Sequence, residues 1–164
     1  MTAIKRYHLR KDKVKELKNL LRGRLQPLAE ELAGSVEILD SGDCKVVISN
    51  EKPVFILGEK PIPALTMVGE IDLPTVVVDM GAVGPLCRGA DVMAPGVTRA
   101  DEEIRAGDLV VMVDERHGRP LAVGEALVPG NQIKGEKGRV VKNLHHVGDD
   151  FWEMFSSLLG TKVK

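Results

Sequence analysis

The chain has 164 residues, 43% of them apolar, with 23 Lys and Arg against 24 Asp and Glu and a formal net charge of −1. That size allows one good core or two small ones, and the near-neutral balance excludes a uniformly basic nucleic-acid binder. No apolar run approaches the roughly 20 residues needed to span a membrane, and the N-terminus is too charged for a secretory signal, so no membrane partner is expected and the compartment implied is the cytoplasm.

Averaging hides where the charge lies. Residues 5 to 24 hold nine basic side chains (Lys5, Arg6, Arg10, Lys11, Lys13, Lys15, Lys18, Arg22, Arg24) against Asp12 and Glu16, a local balance of +7. Val14, Leu17, Leu21, Leu25, Leu28 and Leu32 recur at helical spacing, with Lys11, Lys15, Lys18 and Arg22 along the flank of that face. The spacing predicts one helix near 11–24 and a short second one starting at Pro27, which cannot continue the first. The lysine stripe is either a solvated helix face or a secondary basic surface for a partner, RNA or protein.

Strands follow. Val36 to Leu39 and Cys44 to Ser49 flank the turn Asp40-Ser-Gly-Asp43, and Pro53 to Leu57 is a third apolar run. Pro61, Pro63 and Pro74 mark a connector, which puts a boundary near Leu73 between an N-terminal α/β domain over 1–73 and a second domain over 75–164. Cys44 and Cys87 stand far apart with no Cys-x-x-Cys or His/Cys cluster, so they read as small buried hydrophobes rather than a disulfide or a zinc site, and no metal or other cofactor is expected.

The second half opens on a strand, Val76 to Val78, broken at Gly81 and followed by the apolar stretch Ala82 to Cys87. Gly89 is placed as a left-handed helix stop. Backbone N–H groups at the helix start or the glycine turn can point at a phosphate, though such turns also join strands with no ligand. Asp79 is read as a local hydrogen-bond acceptor. Further strands recur every 10 to 15 residues, the rhythm of a small closed or nearly closed β-barrel, with Arg116-His117-Gly118-Arg119 as a hairpin tip. Asp149 and Asp150 suit the start of a last helix anchored by Trp152 and Phe155. The fold class is therefore α+β.

Gly81-Ala82-Val83 and Gly89-Ala90-Asp91-Val92-Met93-Ala94-Pro95-Gly96-Val97 resemble the opening of a PUA domain, a module named after pseudouridine synthases and archaeosine transglycosylases. Gly107 to Val113 is similar to that domain's middle strand, Pro120 to Gly124 to the strand ending in Val-Gly, and Gly138 to His145 to its closing strand. With the ending Asp149 to Met154 and a preceding domain of about 70 residues, the chain resembles the malignant-T-cell-amplified-sequence family and its archaeal relatives.

That resemblance implies an RNA-binding protein of translation initiation or recycling, contacting small-subunit ribosomal RNA or the acceptor end of tRNA. It also implies a separate start-codon-sensing protein partner. An accessory role in tRNA modification, or a protein-interaction adaptor, is the alternative. The implied RNA surface is Gly81, Ala82, Arg88, Gly89, Ala90 and Arg99, with Lys142, Asn143 and His145 from the closing strand. Glycines would admit a backbone, the cations would neutralise phosphates, and Asn143 and His145, on one face by alternation, would reach a sugar or an unpaired base. No nucleophile elbow, P-loop or His-Glu-x-x-His motif occurs, so no enzymatic activity is expected.

Overall fold

The computed structural model describes residues 4–159. Its contacts divide the chain into two compact units, Met1–Asp72 together with Glu153–Lys164, and Leu73–Trp152. Residues 153–159 thus group with the first unit, whereas the boundary expected near Leu73 puts them in the second.

The first unit is an antiparallel sheet of β1 (Lys5–His8), β2 (Val36–Asp40), β3 (Lys45–Ser49), β4 (Lys52–Leu57) and β5 (Ile62–Pro63), in that spatial order. The central strands β3 and β4 carry the unbroken runs Val46-Val47-Ile48 and Val54-Phe55-Ile56, which are buried throughout, as expected for strands covered on both faces. Edge strand β1 went unread in the sequence because all four of its residues are exposed, so no alternation marks it. Arg6 on β1 pairs with Glu37 at 2.7 Å and with Glu51 in the β3–β4 turn. The guanidinium holds the Glu37 carboxyl below the usual range. That turn is two residues, Asn50 and Glu51, both at positive φ (53° and 63°), the backbone a tight hairpin demands.

Helix α1 (Lys11–Leu20) is shorter than the 11–24 predicted. Leu21 and Arg22 leave helical backbone and Gly23 takes φ 60°, so the helix stops before the glycine. Residues Gly23–Glu31 then form 3-10 turns with Pro27 inside them rather than a helix starting there. The apolar stripe is split accordingly. Leu21, Leu25, Leu28 and Leu32 are buried, while Val14 and Leu17 on α1 are only half-buried. The proline-marked segment is more than a connector, since β5 extends the sheet and Leu65–Glu70 buries Leu65 and Met67.

The second unit contains β6 (Thr75–Val78), α2 (Met80–Leu86), β7 (Val92–Met93), β8 (Val97–Ala100), β9 (Leu109–Asp114), β10 (Pro120–Ala126), β11 (Arg139–His146) and the first residues of α3 (Asp150–Leu159). The strand order is β7-β11-β10-β9-β6-β8, antiparallel except for β6 with β9. The two outermost strands, β7 and β8, are consecutive in the chain and joined only by the tight turn Ala94–Gly96. A three-residue link between opposite edges forces the sheet to curl into a nearly closed barrel. Val76, Val78, Val110, Met112, Ala122 and Val141 fill its interior.

Two local devices shape it. At the β9–β10 tip, Asp114 accepts hydrogen bonds from the backbone N–H groups of Arg116, His117 and Arg119, so the hairpin tip falls where the sequence placed it. Between β10 and β11 the register slips at Val123/Gly124, opposing Val123 to His145 and Gly124 to Asn143. The extra residue, Leu144, is a β-bulge that breaks the simple alternation assumed for Asn143 and His145.

Candidate functional site

Helix α2 is held at both ends by the residues the sequence singled out. Asp79 is its N-cap, its Oδ1 accepting from the Ala82 N–H at 2.9 Å, and Glu115 accepts from the Met80 N–H at 3.3 Å. Carboxylates therefore already occupy the helix start, and a phosphate there would meet like charge. The expectation of an anion at that end is corrected on this ground.

The other end closes as a Schellman motif. Gly89, at φ 93°, donates to Leu86 and Ala90 donates to Pro85, satisfying the last carbonyls of the helix. Asn143 on β11 completes the arrangement: its Nδ2 donates to the main-chain oxygens of Leu86 and Ala90, both at 3.0 Å, and its backbone N–H donates to Asp91 Oδ1 at 2.8 Å. Arg139 pairs with the other oxygen of Asp91 at 3.1 Å. Asn143 is thus a latch between β11 and the loop after α2, with its donors committed there and not offered to a base.

His145 is fully buried. Its Nδ1 lies 2.7 Å from Asp149 Oδ2 and its ring meets Phe151 edge-on at 5.8 Å. Asp149 also caps α3 by accepting from the Trp152 N–H at 2.8 Å. Burial pushes the Asp149 carboxyl up, yet the His145 contact and the backbone N–H groups of Trp152 and His146 outweigh it and hold the group below its usual range. The bulge at Leu144 turns His145 inward, so it lies buried in the barrel wall and not on the sugar- or base-facing surface that the resemblance implies.

The neighbouring His146 takes a more accessible position that sequence reading missed. It is half-buried, its Nδ1 stands 2.9 Å from the Val147 oxygen, and a Cβ built on Gly89 would lie 3.4 Å from its Nε2. A carbonyl only accepts, so Nδ1 carries the hydrogen, and Nε2 is the ring atom beside Gly89. No sequence signal distinguishes the two adjacent histidines, because the bulge sets their phase.

A cleft of about 370 Å³ opens between the start of α2 and the β7–β8 turn, lined by Asp79, Gly81, Ala82, Asp91, Met93 and Pro95 among others. A Cβ on Gly96 would come within 3.3 Å of Ala82 Cβ, so the turn packs tightly on the helix. Apolar walls with two carboxylates suit a flat group carrying N–H or O–H donors, not a phosphate. The cations lie outside it: Arg88, Arg99 and Lys142 are exposed, Arg88 folded over Gly84, Arg99 opposite Val77 on β8, Lys142 opposite Glu125 on β11. Gly89 and Ala90 are exposed beside Arg88, whereas Arg99 and Lys142 sit on separate strands. Cys44 and Cys87 are free and half-buried. Among the described residues no group of three or more His, Cys, Asp or Glu is placed to hold a metal, and no helix is long and apolar enough to cross a membrane.

A PUA-domain family model matches residues 74–148. An uncharacterized protein of Methanocaldococcus jannaschii is 42% identical over 93% of this chain and 98% of its own length. Translation machinery-associated protein 20 of Saccharomyces cerevisiae is 35% identical over 64% of the chain and 63% of its own. Malignant T-cell-amplified sequence 1-A of Xenopus laevis is 31% identical over 50% and 48%. The crystal structure of a hypothetical protein from Pyrococcus horikoshii superposes with a TM-score of 0.75 at 34% identity, covering 92% of this chain and 99% of that one. The fold, the placement of the matched segment and this set of relatives agree, and the chain belongs to the PUA-domain proteins of the malignant-T-cell-amplified-sequence type.

Proposed function

We propose that this protein is a non-enzymatic RNA-binding factor of translation, acting in the cytoplasm on small-subunit ribosomal RNA or the acceptor end of tRNA. The observation that carries the reading is the cleft beside α2, an apolar slot with two carboxylates in its lining, together with the exposed cations Arg88, Arg99 and Lys142 on the same unit. An unpaired nucleotide fits that division of labour. Its base or ribose brings donors to Asp79 and Asp91, while phosphates reach Arg88, Arg99 or Lys142 outside. Gly81, Ala82, Gly89 and Ala90 form the close-approach surface, Asn143 holds it in shape, and His146 joins it. Kinship with a protein named for the translation machinery supports the process assigned. A separate protein that senses the start codon is the partner proposed.

The test is titration of labelled tRNA and of small-subunit ribosomal RNA fragments, with co-sedimentation on isolated small subunits. Binding that weakens on Arg88→Ala for every RNA tested supports the assignment. Absence of binding by the parent protein to either RNA at low salt overturns it.

A further inference from the structure

We infer that the N-terminal helix α1 is a second RNA-docking surface, a lysine rib that grips the phosphate backbone independently of the cleft in the second unit. The inference rests on the RNA-binding reading above.

At about 100° per residue, Lys11, Lys15 and Lys18 fall within an arc of about 60° on α1, and at about 1.5 Å rise they span about 10 Å. All three are exposed, and none takes part in an ion pair among the described residues. The two acids of the helix are neutralised elsewhere, Asp12 by Arg10 at 3.2 Å and Glu16 by Lys13 at 3.5 Å. The stripe is therefore not a hidden ion-pair network. Arg22 does not extend it by helical spacing, because the helix ends at Leu20; its Nε instead donates to the Asn19 oxygen at 3.2 Å and caps that end.

No residue of α1 is fully buried, so it stands as a rib with its charges open to solvent. Like charges at i,i+3 and i,i+4 repel and weaken a ten-residue helix that is marginal by length alone. An anionic polymer lying along the stripe relieves that repulsion. Three lysines without an aromatic neighbour on the helix act as point charges, suited to phosphate neutralisation and not to base reading. A membrane surface fits poorly, since the apolar side chains Val14 and Leu17 are half-buried, and only Leu20 is exposed. RNA long enough to reach both surfaces would gain affinity by avidity.

The test uses the full chain with tRNA as probe and compares the parent with Lys11→Ala/Lys15→Ala/Lys18→Ala, its glutamine counterpart, Arg88→Ala, and the charge control Lys52→Ala/Lys60→Ala. Alanine and glutamine are both good helix formers, so the triple variants should keep the fold, which a melting curve checks. The expected result is a plot of log affinity against log salt that is shallower by about 2 to 3 in both triple variants and unchanged in the control. Triple variants that bind with the parent's affinity and slope overturn the helix surface, while a loss in Arg88→Ala would leave the cleft reading intact. A parent protein that does not bind tRNA removes both. Polyglutamate competing as well as RNA at equal charge would replace RNA by an acidic protein as the partner.

Discussion

The side-chain amide of Asn143 donates to the main-chain oxygen of Leu86 at 3.0 Å, so the closing strand holds the end of α2 directly. The same nitrogen reaches Ala90, while Asn143 Oδ1 is buried with no hydrogen-bond partner among the described residues. Only the donor half of the amide is used. Asn143→Asp replaces that donor by a carboxylate facing two carbonyls and should cost about 2 to 3 kcal/mol, more than the about 1 to 2 kcal/mol of Asn143→Ala. Denaturant unfolding measures both, and hydrogen exchange at Gly89 and Ala90 should quicken in each. An aspartate variant as stable as the parent would show that the amide is no latch.

Gly89 separates two effects of one substitution. At φ 93°, a β-branched residue costs on the order of 1 to 2 kcal/mol, and its side chain would meet His146, whose Nε2 lies 3.4 Å from the Cβ position. Gly89→Val should therefore melt somewhat lower and, on the RNA surface proposed, lose RNA affinity well beyond that deficit, because the methyls would obstruct an approaching backbone. A folded Gly89→Val with parental RNA affinity would remove the loop from the binding surface.

Much of this was legible because short-range chemistry decided it. Asp79 and Gly89 bracket α2 as their side-chain types demand, and the strand runs 36–39, 44–49 and 53–57 recur within a residue or so as β2, β3 and β4. What failed depends on neighbours distant in sequence. Strand β1 is marked only by its pairing with β2 and by Arg6 reaching Glu37 and Glu51. His145 and His146 look alike until the bulge opposite Gly124 turns one inward, and the acidic lining of the cleft arises from Asp79 and Asp91, two carboxylates that no motif joins.

Gly124 offers a test of the barrel itself. A Cβ there would stand 2.5 Å from the Lys142 oxygen and 2.7 Å from Val141 Cγ1, and backbone cannot move aside as a flexible side chain can. Gly124→Ala should destabilise by about 1 to 3 kcal/mol or more through overpacking against β11. Gly107→Ala is the comparison, since its φ is 94° but its Cβ meets nothing within 4 Å, leaving backbone strain alone. Equal unfolding midpoints for Gly124→Ala and the parent would mean that β10 and β11 separate at the bulge without penalty.

The Asp149 carboxyl, held against His145, sets a pH dependence whose sign follows from which form the fold prefers. Burial alone would raise the Asp149 carboxyl, but contact with His145 and the N–H groups of Trp152 and His146 holds it below its usual value of 3.8. A carboxyl with a lower pKa folded than unfolded adds stability that is present above the unfolded value and is lost as pH falls through the folded one. The parent should therefore lose stability from about pH 4 downward. Asp114, lowered by the N–H groups of His117, Arg119 and Arg116, contributes in the same window. Glu37, lowered by its hydrogen bond to Arg6, adds a third contribution, so Asp149→Asn removes one of three: the variant should be less stable at pH 7 but show a flatter decline below pH 4 without becoming pH-independent. Urea midpoints at pH 7, 4 and 3 check this. A variant whose midpoint falls between pH 4 and pH 3 as steeply as the parent's would place the acid sensitivity elsewhere.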